Sequence, residues 1–306
     1  MKVVRFCLVI ALMLLGSLAY GFTDLDCKPL VLAEKGPAAS VPFGQGLLFK
    51  VSKGGSAPSH VFGTIHVGDK RVTNLPPAVA DVLAQSQRFV MEATFDGDGM
   101  LGFFDRMLYQ DGKRLVDQIG EGMFSRTTLL LSRYGIPEEF ALHMKPWAAY
   151  MMLSLPPGDN SAPLDLVLMQ RAAQENIPVH GLETLQEQVE VFEALKPADQ
   201  IALLKDAVCH YETVQRELGE LTARYLERDL AGLMAMLDRY QASEQNAYSR
   251  FADELLWKRN RRMVERMIPR LGEGHAFIAI GALHLPGARG VLALLEEKGF
   301  QVSVVY

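Results

Sequence analysis

Apolar positions in this chain fall into short unbroken runs and longer stretches spaced three and four apart, which predicts strands alternating with helices. Two apolar patches, 47–51 and 60–65, flank Gly54, Gly55 and Pro58, the pattern of two strands around a glycine turn. A loop after His66 leads to Leu75-Pro76-Pro77, and proline suits the first turn of a helix predicted over 78–87. Residues 88–94 (RFVMEAT) then read as a buried strand. A strand, a crossover helix and a second strand form a βαβ unit, which requires the two strands to be parallel. Residues 103–110, 122–134, 146–155 and 163–176 carry helical spacing, the last with Leu164, Val167, Leu168 and Ala172 on one side. A short strand over 177–182 comes next, with Glu183 at its carboxyl end, and 197–268 is almost wholly helical in pattern. Ala276-Phe277-Ile278-Ala279-Ile280 is apolar throughout, as expected of a strand covered on both faces. A helix over 289–298 and a strand over 300–305 close the chain. The expected fold class is α/β: a central mixed, largely parallel sheet flanked by helices. It forms a single domain over 43–306, with a long helical insertion at about 100–270.

The first residues have a different pattern. Lys2 and Arg5 precede an unbroken apolar run, 6–15, and then the small residues Gly16, Ser17, Ala19 and Gly21. This predicts an export signal over 1–21, cleaved after Ala19 or Gly21, ahead of an extension over 22–42. The alternative is an uncleaved anchor, although the uncharged stretch 6–23 is slightly short of the ~20 residues a spanning helix prefers. Membrane contact is expected only through an uncleaved signal, and the expected location is periplasmic or secreted. A net charge of −5 argues against nucleic acid as a partner. Three cysteines are too few for a disulfide scaffold or a cysteine-rich zinc framework. Cys7 leaves with the signal. Cys27 and Cys209 remain, either as a disulfide tying the mature N-terminus to a distant helix or as two free thiols.

The candidate chemistry is a repeated device. Gly63-Thr64-Ile65-His66 and Gly281-Ala282-Leu283-His284 each come after an apolar run, and Gly68 and Gly287 lie closely after them. Glycine permits a sharp turn or a close backbone approach, and each histidine then projects from the carboxyl end of a strand, where ligands bind in open α/β sheets. Two imidazoles and a carboxylate from adjacent strand ends make a three-ligand metal site with positions left for water. Glu92 and Glu183, both at strand ends, are candidates for the acidic member. Glu92 lies among apolar residues, where a carboxylate needs a cationic partner, either a metal or an arginine. In the basic run 258–262, Arg259 or Arg262 is the candidate to turn inward and orient Glu92 or Glu183. His60, six residues before His66, shares its face on simple alternation and is a candidate supporting residue. Gly-x-Ser-x-Gly, His-Glu-x-x-His and P-loop motifs are absent from the sequence.

These segments resemble the TraB/GumN family: HVFGTIHVGD over 60–69, 89–94, 164–186 with Gly181-Leu182-Glu183-Thr184, Arg259-Asn260, and FIAIGALHLPGARG over 277–290. That family is similar to the Tiki metalloproteases and, more distantly, to erythromycin esterases and the ChaN haem-binding proteins. The resemblance implies a helix-flanked sheet with both histidine motifs and an acidic residue at one site. It also implies a peptidase that depends on a divalent metal, Mn2+ or Co2+ favoured, with Zn2+ as the other candidate. By position His66, His284 and Glu92 match the metal site, with Glu92, Glu183 and Arg259 as candidate catalytic residues. Many relatives read Glu-x-Asp at this strand end, whereas this chain has Glu92-Ala93-Thr94. The expected function is therefore metal-assisted hydrolysis of a peptide or other small substrate. Its alternatives are a non-catalytic exported protein that binds metal, haem or peptide, and an accessory in cell-surface polymer export.

Overall fold

The computed structural model describes residues 25–27, 31–32, 40–94, 97–158, 161–241 and 245–306. The export signal expected over 1–21 lies outside them. Six strands form the central sheet: β1 Leu48–Ser52, β2 Ser59–Thr64, β3 Arg88–Ala93, β4 Val179–Glu183, β5 Ala276–Gly281 and β6 Gln301–Val304. Their spatial order is β4-β3-β5-β2-β1-β6. The pairs β4–β3, β3–β5 and β5–β2 are parallel, and β2–β1 and β1–β6 are antiparallel. The sheet is thus mixed and largely parallel, as the strand and helix pattern implied.

The middle strand, β5, is buried from Ala276 to Ile280. Its Phe277 ring lies 5.9 Å from Phe62 on β2 and 6.1 Å from Phe89 on β3, so one aromatic ladder crosses the parallel strands. Each such pair contributes about 0.5–1.5 kcal/mol beyond its buried area. The Pro77–Ala84 helix makes the β2-to-β3 crossover and buries Val79 and Leu83. The Leu164–Gln174 helix buries Leu164, Leu168 and Ala172, three residues of the predicted stripe. The Arg259–Glu273 helix buries Met263, Val264, Met267 and Leu271 against the same core.

A second core lies among the helices. Leu115, Phe124, Leu131, Met144, Trp147, Leu153, Leu204 and Val208 pack together there, and Trp147 stacks on Phe192 at 5.2 Å. Cys27 is joined to Cys209 at the end of the Pro197–Cys209 helix, closing a separation of 182 residues. Such a bond suits an oxidising compartment. Further along, Val31–Leu32 pairs antiparallel with Tyr240–Gln241, and the Pro42 carbonyl accepts from Gly287 N–H at 2.8 Å. Among the described residues no helix is long and apolar enough to cross a membrane.

Three parallel pairings bring four carboxyl ends to one edge. In register, Thr64 sits beside Gly281, and Ala93 beside Glu183. His60 lies at the other end of β2, paired with Lys50 and Phe277. Four residues of strand at ~3.3 Å each put it ~13 Å from Thr64. The alternation that linked His60 to His66 stops where the strand stops, so His60 takes no part in the edge.

Candidate metal and catalytic centre at the strand carboxyl ends

The two glycine motifs differ in the path the chain takes on leaving the strand. After β2 the chain enters a loop, and the His66 side chain is 65% exposed. After β5 it winds into a 3-10 turn, Ala282–His284, and the His284 side chain is 5% exposed. The motif glycines serve close approach. A Cβ on Gly63 would stand 2.8 Å from Leu285 Cδ1 and 3.2 Å from Ala282 Cα, inside the turn that carries His284. A Cβ on Gly281 would stand 3.1 Å from Glu92 Oε1. Gly63 thus leaves room for the turn that carries His284 and Gly281 for Glu92 itself, and Gly281 N–H donates to that same Glu92 oxygen at 2.6 Å.

Arg259 is the hub. It begins its helix directly after a π-helical turn, Asp253–Lys258, an irregularity frequent at functional sites. Its Nη2 donates to Glu92 Oε2 at 2.6 Å and to Glu183 Oε2 at 2.7 Å, and its Nε donates to Glu183 Oε2 at 2.9 Å. Its Nη1 lies 3.2 Å from the Leu255 carbonyl and 3.3 Å from His284 Nε2. Arg262 adds two donors to Glu183 Oε1, one of them at 3.0 Å. Two of the three arginines in the basic run, Arg259 and Arg262, thus turn inward, while Arg261 is exposed. Arg259 holds both glutamates and Arg262 holds Glu183, whose side chain is wholly buried.

Burial alone would raise the Glu92 carboxyl, but Arg259 first, then His284, His66 and the Gly281 N–H, hold it well below the usual carboxylate range. Burial works against the Arg259 charge too, yet Glu92 and Glu183 keep that group above the ordinary guanidinium value.

The two imidazoles are held differently. His284 Nδ1 bonds to Asn260 Oδ1 at 2.6 Å, and Asn260 in turn donates to the Arg289 carbonyl at 2.8 Å. The amide oxygen can only accept, so Nδ1 carries the proton and Nε2 presents a lone pair, 3.6 Å from Glu92 Oε1. Burial, reinforced by Arg259, lowers His284 to about 4 against the pull of Glu92, so the ring is neutral. His66 Nδ1 bonds to Asp165 Oδ2 at 2.7 Å, and Thr64 Oγ1 donates to Asp165 Oδ1 at 2.6 Å. Desolvation by the surrounding strand ends disfavours the charged ring, but the adjacent Asp165 carboxylate, helped by Glu92, raises His66 to about 9. Asp165 was not among the residues singled out from the sequence. It sits in the first helical turn after Pro163, where an acidic residue is ordinary helix chemistry. Only the tertiary packing of that helix brings it to β2.

The donor chemistry fits a divalent ion. Both imidazoles have Nδ1 held by an oxygen partner with a carboxylate close by; Nε2 of the neutral His284 ring is already an acceptor, and Nε2 of His66 becomes one when a bound cation displaces its proton. Arg259 Nη1 now lies against His284 Nε2, and its second contact, the Leu255 carbonyl, remains when that nitrogen is taken. Among the described residues no three acidic, histidine or cysteine groups already close around one point.

These features define an α/β protein with a charged, histidine-bearing site at the carboxyl edge of its parallel strands. Residues 47–304 match the TraB/PrgY/gumN family, and the chain belongs to that family. It is similar to metalloprotease TIKI2 of Danio rerio, 23% identical over 300 residues that cover 80% of this chain and 58% of that protein. It is also similar to the YbaP protein of Escherichia coli K12, 24% identical over 252 residues covering 79% and 89%. The chain therefore spans little more than half the length of the TIKI2 relative.

Proposed function

We propose that the protein is an exported, metal-dependent hydrolase acting on peptides. The observation that carries this reading is the pairing of His66 and His284 on neighbouring strand ends beside Glu92, each ring held through Nδ1 by an oxygen partner. Its similarity to the protein named metalloprotease TIKI2 supports the peptidase class, and the Cys27–Cys209 bond supports export to a periplasmic or extracellular space. His66, His284 and Glu92 would hold the ion, with manganese or cobalt favoured by the family resemblance. A divalent ion bound there supplies Lewis-acid activation of water, bringing its pKa toward ~7.

The protein groups have separate tasks. Glu92, with Oε2 on Arg259 and Oε1 on the Gly281 N–H, would serve as an ionised oxygen donor to the ion. Glu183 has both oxygens committed to arginines, so its part is to hold Arg259. Arg259 keeps Glu92 ionised and in place. Asn260 keeps His284 in the tautomer that leaves Nε2 as an acceptor.

The test is cleavage of a random peptide library by purified protein, read by mass spectrometry with and without Mn2+ or Co2+. Cleavage that requires the ion and is lost in both His66→Ala and His284→Ala supports the reading. Equal cleavage in the double variant contradicts it. Metal uptake without any cleavage would instead favour a binding protein.

A further inference from the structure

His284 is fixed by its surroundings, but His66 is not. With 65% of its side chain exposed, His66 is far less confined than His284, and an exposed imidazole samples several rotamers. One contact in the structure opposes that freedom. Asp165 Oδ2 takes His66 Nδ1 at 2.7 Å. Its other oxygen, Oδ1, is anchored at 2.6 Å by the hydroxyl of Thr64, the last residue of β2, itself 1% exposed. The Asp165 side chain is 13% exposed, and the helix that carries it is pinned to the His66 loop by Leu164 N–H donating to the Val67 carbonyl at 3.2 Å. Gly68 completes the fit, because any side chain there would meet Ser161. The carboxylate is therefore a bracket between the end of a core strand and an exposed imidazole.

We propose that Asp165 is a positioning residue which, braced by Thr64, fixes the His66 ring at the strand edge with Nε2 turned away from the bracket as the atom available to a ligand. The proposal rests on the metal-dependent reading for its purpose, though not for its geometry. Asn at this position retains one accepting oxygen for Nδ1, and its amide N–H can donate to the Thr64 hydroxyl, so the bracket survives with one bond reversed. Ala removes the bracket. Thr64→Val leaves the carboxylate but frees it from the strand.

Two readouts test this on the full chain. The first is the downfield Nδ1–H proton signal of His66, assigned by its absence in His66→Ala. A ring N–H held by a carboxylate exchanges slowly enough to be seen, and an exposed unbonded one does not. The signal should be present in the parent protein, shifted but present in Asp165→Asn, and absent in Asp165→Ala. The second is Mn2+ titration by calorimetry. Asp165→Ala should weaken binding ~10–100-fold, the usual effect of losing a partner that orients a ligand. Asp165→Asn and Thr64→Val should fall between parent and Ala. Unchanged His284 ring signals and an unchanged melting temperature separate positioning from general damage. If Asp165→Ala keeps the His66 signal, or if it binds Mn2+ within twofold of the parent, the proposal is overturned. If the parent itself takes up no Mn2+, the metal-dependent reading fails, and the proton signal alone decides whether Asp165 brackets His66.

Discussion

Arg259→Met removes the hub of the site while keeping the length of its apolar stem. Lost are the donors to Glu92 at 2.6 Å, to Glu183 at 2.7 and 2.9 Å, and to the Leu255 carbonyl at 3.2 Å. Glu183 retains Arg262. Glu92, 11% exposed, keeps the Gly281 N–H but loses its nearest positive charge. Taking one partner out of a buried ion pair costs about 3–5 kcal/mol, because a charge is left stranded in a poorly solvated place. At roughly 2 °C per kcal/mol for a chain of this size, the melting temperature should fall by about 6–10 °C. Adding Glu92→Gln to the same protein removes the stranded charge. The double variant should then lose less than the sum of the two singles, with a coupling of at least ~1 kcal/mol. Urea unfolding of the parent, both singles and the double provides the cycle. A loss below ~1 kcal/mol for Arg259→Met, or additive losses, would refute the claim that Arg259 holds the carboxylates.

Three other outcomes rest on the same geometry. Gly281→Ala pushes a methyl group to 3.1 Å from Glu92 Oε1 and should cost about 1–3 kcal/mol while displacing that carboxylate; an unperturbed crystal structure of the variant would count against the close-approach role of this glycine. Reducing Cys27–Cys209 opens a 182-residue separation, whose closure entropy sets an upper figure of ~5 kcal/mol; calorimetry with and without a phosphine reductant should show a clear fall in melting temperature, and a shift under 1 °C would mean the bond holds nothing together. Glu187 is drawn down to about 2, chiefly by its bonds to Arg266, from an ordinary value of 4.5. The stability this adds is therefore present above about pH 4.5 and lost as pH falls toward 2, amounting to about 1 kcal/mol after solvent screening. Glu187→Gln should flatten that acid limb, and an identical acid profile in the variant would dismiss the pair.

Much of the architecture was legible because burial leaves a local record. The continuous apolar run at 276–280 reads as a strand covered on both faces, and β5 is that strand. Proline at 76–77 marked the crossover helix, which starts at Pro77. The basic run could be read as a face from which Arg259 or Arg262 turns inward, and both do turn in. The features that escaped depended on where one element lands on another. Asp165 looks like any acidic residue in a first helical turn until its helix is packed beside Thr64. The two Gly-x-x-His motifs look equivalent, yet one runs into an open loop and the other into a 3-10 turn, so one histidine is exposed and the other buried. Alternation extended past the end of β2 misplaced His60. The second helical core around Trp147 has no sequence period that announces which helices meet.

Anomalous diffraction from crystals of the full chain grown with Mn2+ addresses the strand-edge site without assuming a substrate. The account predicts one strong manganese peak within ~2–2.4 Å of the Nε2 atoms of His66 and His284 and of a Glu92 carboxylate oxygen. A peak elsewhere on the molecule, or an edge that stays free of manganese at saturating concentration, would contradict it.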